Sequence, residues 1–215
     1  MDHVRHDNGN VSDDAPPALA RARRLTSTAE ATALYDDWAA RYDHDVFEVL
    51  GVTGSSRVAD LLAGRVGDRS LEIVDLGCGT GGVGRRLREL GFDDLTGLDL
   101  SRAMLAVARS TGAYRSLAVT DLTDADELGT RTQRFDAAVS AGTFTTGHVT
   151  ADAVPGILGL LRPGATFVWA IAPALWPDFE TALIDRRVAI VSAAAEPIRP
   201  GSDDVSHMVV ATVPT

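Results

Sequence analysis

The chain has 215 residues, enough for one α/β domain of ordinary size but few for two. Hydrophobic residues make up 45% and charged residues 23%, as in soluble globular proteins, and no apolar run approaches the ~18–20 residues that span a bilayer. The formal net charge of −10 argues against a nucleic-acid partner, because phosphate backbones are bound by basic patches.

The first stretch of the chain, residues 1–24, is polar, with two prolines and charges of both signs. It is predicted to be a disordered tail, and its start lacks the apolar core of a signal peptide. Cys78 is the single cysteine, so no internal disulfide forms. These features lead us to expect a protein of a reducing compartment, the cytoplasm.

A helix is predicted to begin at Ser27, because the run Ser-Thr-Ala-Glu at 27–30 is typical of a capping box. Tyr35, Trp38 and Tyr42 then fall on one face of this helix, at spacings of three and four. Such an aromatic stripe is either part of a core or a cap over a ligand. A second helix is predicted at Ser55–Val66, so residues 25–68 form a helical cap on the domain.

From residue 71 onward, short apolar runs alternate with helical patterns. The predicted strands are LEIVDL, LTGLDL, RSLAVTD, FDAAVSA, TFVWAIA and SHMVVATVP. The predicted helices among them are VGRRLREL, RAMLAVARS, VPGILGLL and WPDFETALIDRRVAIVS. This alternation predicts a single α/β domain over residues 25–215, with a doubly wound parallel sheet and helices on both faces.

The loop VDLGCGTGGVG at 74–84 joins the first strand to the next helix. Its glycines match the spacing of a dinucleotide-binding turn twice, and such a turn lets backbone N–H groups approach a ligand closely. Asp99 ends the second strand, where a carboxylate accepts hydrogen bonds from ribose hydroxyls. At this point a nicotinamide cofactor and S-adenosylmethionine (SAM) both fit.

The charge of the residues around the predicted crevice distinguishes between the two cofactors. Asp75 introduces the glycine loop, and Asp99 and Asp121 end the next two strands at the same rim of the predicted sheet. Three carboxylates around one crevice would repel a pyrophosphate, which prefers helix N–H groups. They suit a ligand with an ammonium group, a sulfonium centre, ribose hydroxyls and an adenine amine, and SAM has all four.

Taken in order, these motifs resemble the class I SAM-dependent methyltransferases. VDLGCGTGGVG resembles their motif I, GLDLSRAML their second motif, and TDL at 120–122 the acidic segment that reads adenine. FDAAVSAGTF is similar to the strand and loop beside the reaction centre, LLRPGATFV to the segment entering the fifth strand, and ALYDDWAARYDHD to the N-terminal helix. The resemblance runs from about residue 30 to the end. It implies a Rossmann-like sheet of seven strands, mostly parallel with an antiparallel last strand.

The resemblance also implies roles for residues that would bind SAM. Gly77, Gly79 and Gly81 would wrap its amino-acid end, with Asp75 orienting the loop. Cys78 lies within the same loop and is grouped with these residues, although as a small buried hydrophobe and not as a nucleophile.

The remaining cofactor roles lie along the next strands. Asp99 would take the ribose hydroxyls, and Asp121 the adenine amine. Leu100 and Met104 would pack on the adenine, the Leu122 amide would lie near its ring, Ser140 would close the site near the methyl group, and Tyr35 and Tyr42 would cap the cofactor.

The acceptor side carries fewer signals. His148 follows the fourth strand and is the candidate general base, because an imidazole titrates near neutral pH. Phe144, His148 and Trp176 are candidates for the acceptor pocket, and Trp169 is a weaker one because strand residues alternate faces. The run SAGTFTTGHV resembles methyltransferase-like proteins of the small-molecule type. The Asn-Pro-Pro-aromatic motif of enzymes that methylate nucleic-acid or glutamine amines is absent, so a small-molecule acceptor is expected.

No spacing of His, Cys or carboxylate residues indicates a metal site. Two alternatives stay open. A nicotinamide-dependent oxidoreductase is allowed by the doubled glycine spacing and Asp99, and a SAM-binding protein that transfers no methyl group is allowed because fold does not fix function.

Overall fold

The computed structural model of the chain describes residues 16–22 and 24–215. The predicted tail lies mostly outside the described residues, but Pro17–Ala22 within it forms helix α1. This differs from the disordered tail expected for 1–24. Apolar packing explains this difference, because Ala22 is buried in a cluster with Leu34 and Trp38 of the next helix.

Seven further helices lie in the described residues; six of them were predicted, one of these ends earlier than expected, and the short helix at Ala125–Gly129 was not predicted. They are α2 (Thr28–Asp43), α3 (Gly54–Arg65), α4 (Gly82–Glu89), α5 (Arg102–Ser110), α6 (Ala125–Gly129), α7 (Val154–Gly159) and α8 (Trp176–Asp185). A π-helical segment, His44–Val49, extends α2, and a 3₁₀ turn, Ala151–Ala153, precedes α7. None of the described helices is long and apolar enough to cross a membrane.

The start of α2 has the predicted cap. Ser27 Oγ accepts a hydrogen bond from the backbone N–H of Glu30 at 3.2 Å, and the Glu30 carboxylate accepts one in return from Thr26 N at 3.0 Å. The cap therefore satisfies a free N–H group of the first turn and holds the preceding chain against the helix.

In the described part of the chain, seven strands form one sheet in the order β3-β2-β1-β4-β5-β7-β6. Their bounds are β1 (Ile73–Leu76), β2 (Leu95–Asp99), β3 (Ser116–Val119), β4 (Phe135–Phe144), β5 (Leu161–Ile171), β6 (Ala189–Pro197) and β7 (Val205–Thr212). The five strands from β3 to β5 pair in parallel, whereas β7 pairs antiparallel with both β5 and β6. The predicted mixed sheet with an antiparallel last strand is confirmed.

Strand β6 differs from the sequence-based expectation, which extended the last helix through residue 192. The helix ends at Asp185, and Arg187 adopts a left-handed backbone conformation with φ of 56°. Residues 189–197, with the β-branched Ile190 and Val191 near their start, then form a strand that pairs with β7.

The core lies on both faces of the sheet. One buried cluster joins α3 and α4 to the sheet through Val58, Leu62 and Leu87. The other joins α7 and α8 to the opposite face through Ile157 and Phe179. The chain runs from β1 outward to β3 and then returns to β4 on the other side of β1, which leaves a crevice at the carboxyl ends of β1 and β4, where ligands of such sheets bind.

Candidate active site

A cleft opens at the carboxyl ends of β1 to β4 and is covered by α2. The space between its walls amounts to about 770 Å³, a figure that includes open solvent at its mouth. It is lined by Thr28, Ala31, Tyr35, Tyr42, Gly77, Gly79, Asp99, Leu100, Met104, Thr120, Asp121, Leu122, Thr123, Ala141, Gly142, Thr143, Gly147, His148 and Val149.

The glycine loop forms one wall of the cleft through Gly77 and Gly79, both with positive φ. A Cβ atom on Gly77 would lie 2.0 Å from Thr143 Oγ1, so only glycine fits beside this side chain. Around Gly79 nothing lies within 4 Å of where a Cβ would stand, which leaves open space in front of the loop. Gly81 is the N-cap of α4 and faces Tyr114 rather than the cleft.

Asp99 stands at the end of β2 and faces the cleft. Its Oδ2 accepts a hydrogen bond from Gly79 N at 2.8 Å, and its Oδ1 accepts one from Ser101 N at 2.8 Å. Burial raises the pKa of Asp99, while these backbone donors lower it. A carboxylate has about four acceptor positions, so Asp99 keeps capacity for two hydroxyl groups of a ligand.

A third part of the cleft follows β3. Asp121 Oδ1 accepts hydrogen bonds from the backbone N and the hydroxyl of Thr123, at 2.8 and 2.6 Å. Beside it, the hydroxyl of Thr120 is buried without a hydrogen-bond partner among the described residues. Leu100 and Met104 supply apolar surface in the same cleft. Apolar walls with one carboxylate and one unsatisfied hydroxyl suit a flat ring that carries polar edges.

Asp75 and Cys78 belong to the glycine loop, but their side chains do not line the cleft. Tyr114 donates its hydroxyl to Asp75 Oδ2 at 2.5 Å, and burial raises the pKa of Asp75 to about 7. Cys78 packs against Gly97, where a Cβ would lie 2.8 Å from the sulfur, and burial raises the pKa of its thiol. Both residues support the loop from below.

His148 and Tyr35 meet across the cleft. The Tyr35 hydroxyl lies 2.8 Å from His148 Nε2, and the ring centroids are 5.6 Å apart. Burial lowers the pKa of His148 and raises that of Tyr35. Tyr42 also lines the cleft, and burial raises its pKa to about 12, while Trp38 of the same stripe is buried in the cap. The stripe is therefore part core and part cleft.

Four further predicted residues lie away from the cleft. Ser140 is fully buried and donates a hydrogen bond to the Leu76 carbonyl at 2.9 Å, which ties β4 to β1. Phe144 is fully buried against the rings of Trp169 and Phe179, at 5.1 and 5.0 Å. Trp176 stacks on His207 at 5.2 Å. The structure therefore gives these side chains, and Trp169, packing roles and leaves His148 as the predicted acceptor-side residue that lines the cleft.

The sequence did not indicate the other lining residues around and after the end of β4, which are Ala141, Gly142, Thr143, Gly147 and Val149. The small side chains and glycines of SAGTFTTGHV carry no chemical signal one by one, although the run as a whole resembles methyltransferase-like proteins. Thr28 and Ala31, on the first turn of α2, were missed in the same way.

Two aspartates of α2 were also missed. Asp36 Oδ1 accepts hydrogen bonds from the Ser101 hydroxyl at 2.5 Å and from Ala103 N at 3.2 Å, which ties α2 to the start of α5. Asp43 accepts a hydrogen bond from the Thr80 hydroxyl and pairs with Arg85 at 2.8 Å, which ties the end of α2 to the glycine loop. Their spacing of seven places both on one helix face, and this was the available sequence signal.

Comparison with known proteins agrees with this geometry. Residues 73–164 match the family model of a methyltransferase domain. The human "Methyltransferase-like protein 27" is 34% identical over 153 residues, which cover 69% of this chain and 62% of that protein. The matches span 45–62% of the length of the curated relatives.

Solved structures show the same fold. A TehB-like SAM-dependent methyltransferase from Corynebacterium glutamicum superposes with a TM-score of 0.63 at 22% identity, covering 85% of this chain and 99% of that one. The Burkholderia thailandensis 1,6-didemethyltoxoflavin-N1-methyltransferase, solved with 1,6-didemethyltoxoflavin and S-adenosylhomocysteine, gives 0.63 at 21% identity, covering 89% and 92%.

Proposed function

Because this chain belongs to the class I SAM-dependent methyltransferases, we propose that it transfers the methyl group of SAM to an oxygen, nitrogen or carbon atom of a small molecule. S-adenosylhomocysteine (SAH) is then the second product. The sulfonium supplies the leaving group, and the protein contributes mainly position and alignment.

The observation that carries this proposal is the order of groups along one cleft. The open space before Gly79, the half-used carboxylate of Asp99, and the polar edge at Asp121 and Thr120 follow one another along the ends of β1, β2 and β3. An amino-acid moiety, a ribose and an adenine follow one another in the same order in SAM.

We assign the cofactor roles accordingly. Gly77 and Gly79 hold the amino-acid end, with Gly81 shaping the turn behind them, and Asp99 accepts the ribose hydroxyls. Asp121 accepts the adenine amine beside the amide of Leu122. Leu100 and Met104 pack on the adenine ring, and Tyr35 and Tyr42 cover the cofactor from α2. Asp75, Cys78 and Ser140 support this site from behind the cleft wall.

On the acceptor side, His148 is the one described imidazole that lines the cleft, and we propose it as the group that accepts the proton. The cover formed by α2 and the fold of the loop after β4 leave a confined space, which supports a small acceptor. The single buried cysteine supports a reducing compartment, and we propose the cytoplasm.

Calorimetric titration with SAH tests the cofactor assignment, with NAD(H) and NADP(H) as parallel ligands. We expect micromolar binding of SAH and none of the nicotinamide nucleotides. Binding of a nicotinamide nucleotide alone would overturn the assignment and favour an oxidoreductase. SAH binding with no methyl transfer to any acceptor in a broad screen would favour a SAM-binding protein without transferase activity.

A further inference from the structure

The hydrogen bond between Tyr35 and His148 has an assignable donor and acceptor. His148 Nδ1 lies 3.1 Å from the Thr146 carbonyl oxygen and 2.9 Å from Thr145 Oγ1. A carbonyl oxygen only accepts hydrogen bonds, so Nδ1 carries the proton. The lone pair is then on Nε2, and the hydroxyl that lies 2.8 Å away, that of Tyr35, is its donor.

The direction of this hydrogen bond affects how His148 could act as a base. The Nε2 lone pair of His148 is occupied by the Tyr35 hydroxyl, so an acceptor does not meet a free imidazole nitrogen. The side chain at the end of this hydrogen-bonded chain is Tyr35, whose oxygen still has lone pairs to accept a proton. Both residues line the cleft, Tyr35 from α2 and His148 from the loop after β4.

The charge of the cleft limits the acceptor. Asp99 and Asp121 line it, while no arginine is among its described lining residues and the chain contains no lysine. The arginine near the loop, Arg85, is already paired with Asp43. A carboxylate or phosphate on the acceptor would therefore meet carboxylates and no counter-ion, which is costly in a partly buried site.

We propose, building on the function proposed above, that Tyr35 and His148 act together as a proton relay for an uncharged acceptor that carries an O–H or N–H group. The acceptor proton passes to the Tyr35 oxygen while the Tyr35 proton passes to His148 Nε2. The acceptor atom bonds to the methyl carbon, the carbon–sulfur bond breaks, and its electron pair stays on sulfur. The resulting imidazolium then returns its proton to water as the pair resets.

The first test concerns the acceptor class and uses matched probes. Phenol, 2-naphthol and aniline are compared with 4-hydroxybenzoate, 6-hydroxy-2-naphthoate and 4-aminobenzoate, with SAH release as the readout. We expect kcat/KM to be at least tenfold higher for the neutral member of a pair. Higher activity on the carboxylates, or no methylation of any neutral probe by protein that binds SAH, would overturn the acceptor class.

The second test concerns the relay and uses Tyr35→Phe, His148→Gln and the double variant, with the preferred neutral probe. Each single change is expected to lower kcat by about 10²–10⁴-fold, with SAH affinity unchanged within about threefold. Because one relay is broken in each case, the double variant should lose little more than the worse single variant. Asp37→Ala, an exposed position on the same helix, is the control and should keep wild-type kcat.

A pH profile distinguishes a relay from a packing role. Wild-type kcat should rise with pH through the pKa of His148, which burial places below its ordinary value, and the rise should vanish in both single variants. The other titratable groups that act on the pair are Tyr42 and Asp99. Wild-type kcat in Tyr35→Phe, or multiplicative losses in the double variant, would overturn the relay while leaving the methyltransferase assignment intact.

A measurement without any acceptor guards against variants that fail to fold. Nitrogen-15 NMR of wild-type protein with SAH reads the tautomer of His148 directly. We expect the proton on Nδ1 and a hydrogen-bonded lone pair on Nε2. The opposite tautomer would overturn the relay. Failure of wild-type protein to bind SAH would instead overturn the proposed function.

Discussion

Asp99 is the residue on which the cofactor assignment depends most. Both of its oxygens already accept backbone hydrogen bonds, from Gly79 and Ser101, so the carboxylate is held in place before any ligand arrives. If Asp99 binds the ribose as proposed, the ribose hydroxyls meet a fixed acceptor and little ordering cost remains.

Asp99→Ala should weaken SAH binding by about 10–100-fold, because a hydrogen bond to a charged group contributes about 1.5–3 kcal/mol. Calorimetry measures the affinity, and circular dichroism checks the fold. Asp93→Ala, at an exposed site before β2, is the matched control and should bind as wild type does. Wild-type affinity in Asp99→Ala would remove the ribose role.

Asp75 gives a prediction on stability. Its folded-state pKa of about 7 lies well above the unfolded value of roughly 4. Between these values the unfolded chain loses the proton while the folded chain keeps it. The contribution of Asp75 to stability is therefore full below about pH 4 and declines as pH rises toward 7.

Asp75→Asn removes this decline, because asparagine does not ionise and its oxygen still accepts the Tyr114 hydroxyl. The variant should be more stable than wild type at pH 8, by about 1 kcal/mol or more, and the difference should shrink toward pH 4.5. Urea unfolding at pH 4.5, 6 and 8 measures it. A difference that stays constant across pH would show that Asp75 ionises normally in the folded protein.

Helix α2 acts as a cover that is fastened at two points seven residues apart. Asp36 holds the start of α5 and Asp43 holds the glycine loop, so the helix that carries Tyr35 and Tyr42 is tied to the two segments that follow β1 and β2. We expect a ligand in the cleft to leave only when at least one of these ties opens.

Asp36→Ala cuts the tie to α5 and should raise the dissociation rate of SAH about 5–10-fold, with a smaller change in the association rate. Stopped-flow fluorescence, with Trp38 on the same helix as a reporter, measures both rates. Asp37→Ala changes the neighbouring exposed carboxylate and should leave both rates unchanged. Equal effects of the two variants would point to helix charge rather than to the tie.

At the same scale, the elements differ in how far the sequence predicts them. Strands β1 and β2 and the loop between β1 and α4 were predicted because apolar runs, glycines and Ser101 are local signals. Strand β6 was merged with the preceding helix, because its pairing with β7 is a long-range contact and its alanines suit a helix equally well. Helix α1 was missed because its stability comes from packing on α2.

The residues of the candidate site also differ in how far the sequence predicts their positions. Gly77, Gly79, Asp99 and Asp121 line one cleft, because the motif and the strand ends fix their positions; their cofactor roles stay predictions. Phe144 and Trp176 were assigned to the acceptor pocket, yet they pack elsewhere. Which face an aromatic side chain takes at the end of a strand depends on the helices packed against that strand, and these lie far away in sequence.

For the whole molecule, the ties of α2 predict that the cap and the sheet unfold together. SAH at about 100 times its Kd should stabilise the protein by about 2.7 kcal/mol and raise Tm by roughly 5–11 °C. Far-UV circular dichroism and tryptophan fluorescence should report the same single transition with and without SAH. Two transitions, of which only one responds to SAH, would show that the cap is an independent unit.

The position of β7 between β5 and β6 bears on how the protein is made. The ribosome synthesises all residues that line the cleft, including the ends of β1 to β4, before it synthesises β7, which completes the sheet. The exposed edge of β5 then waits for roughly 40 more residues, about 2–8 s at ordinary translation rates. During that interval the nascent chain presents an unpaired apolar edge. We expect a chaperone that shields this edge, or cofactor bound early to the finished half, to lower the loss of nascent chains to aggregation.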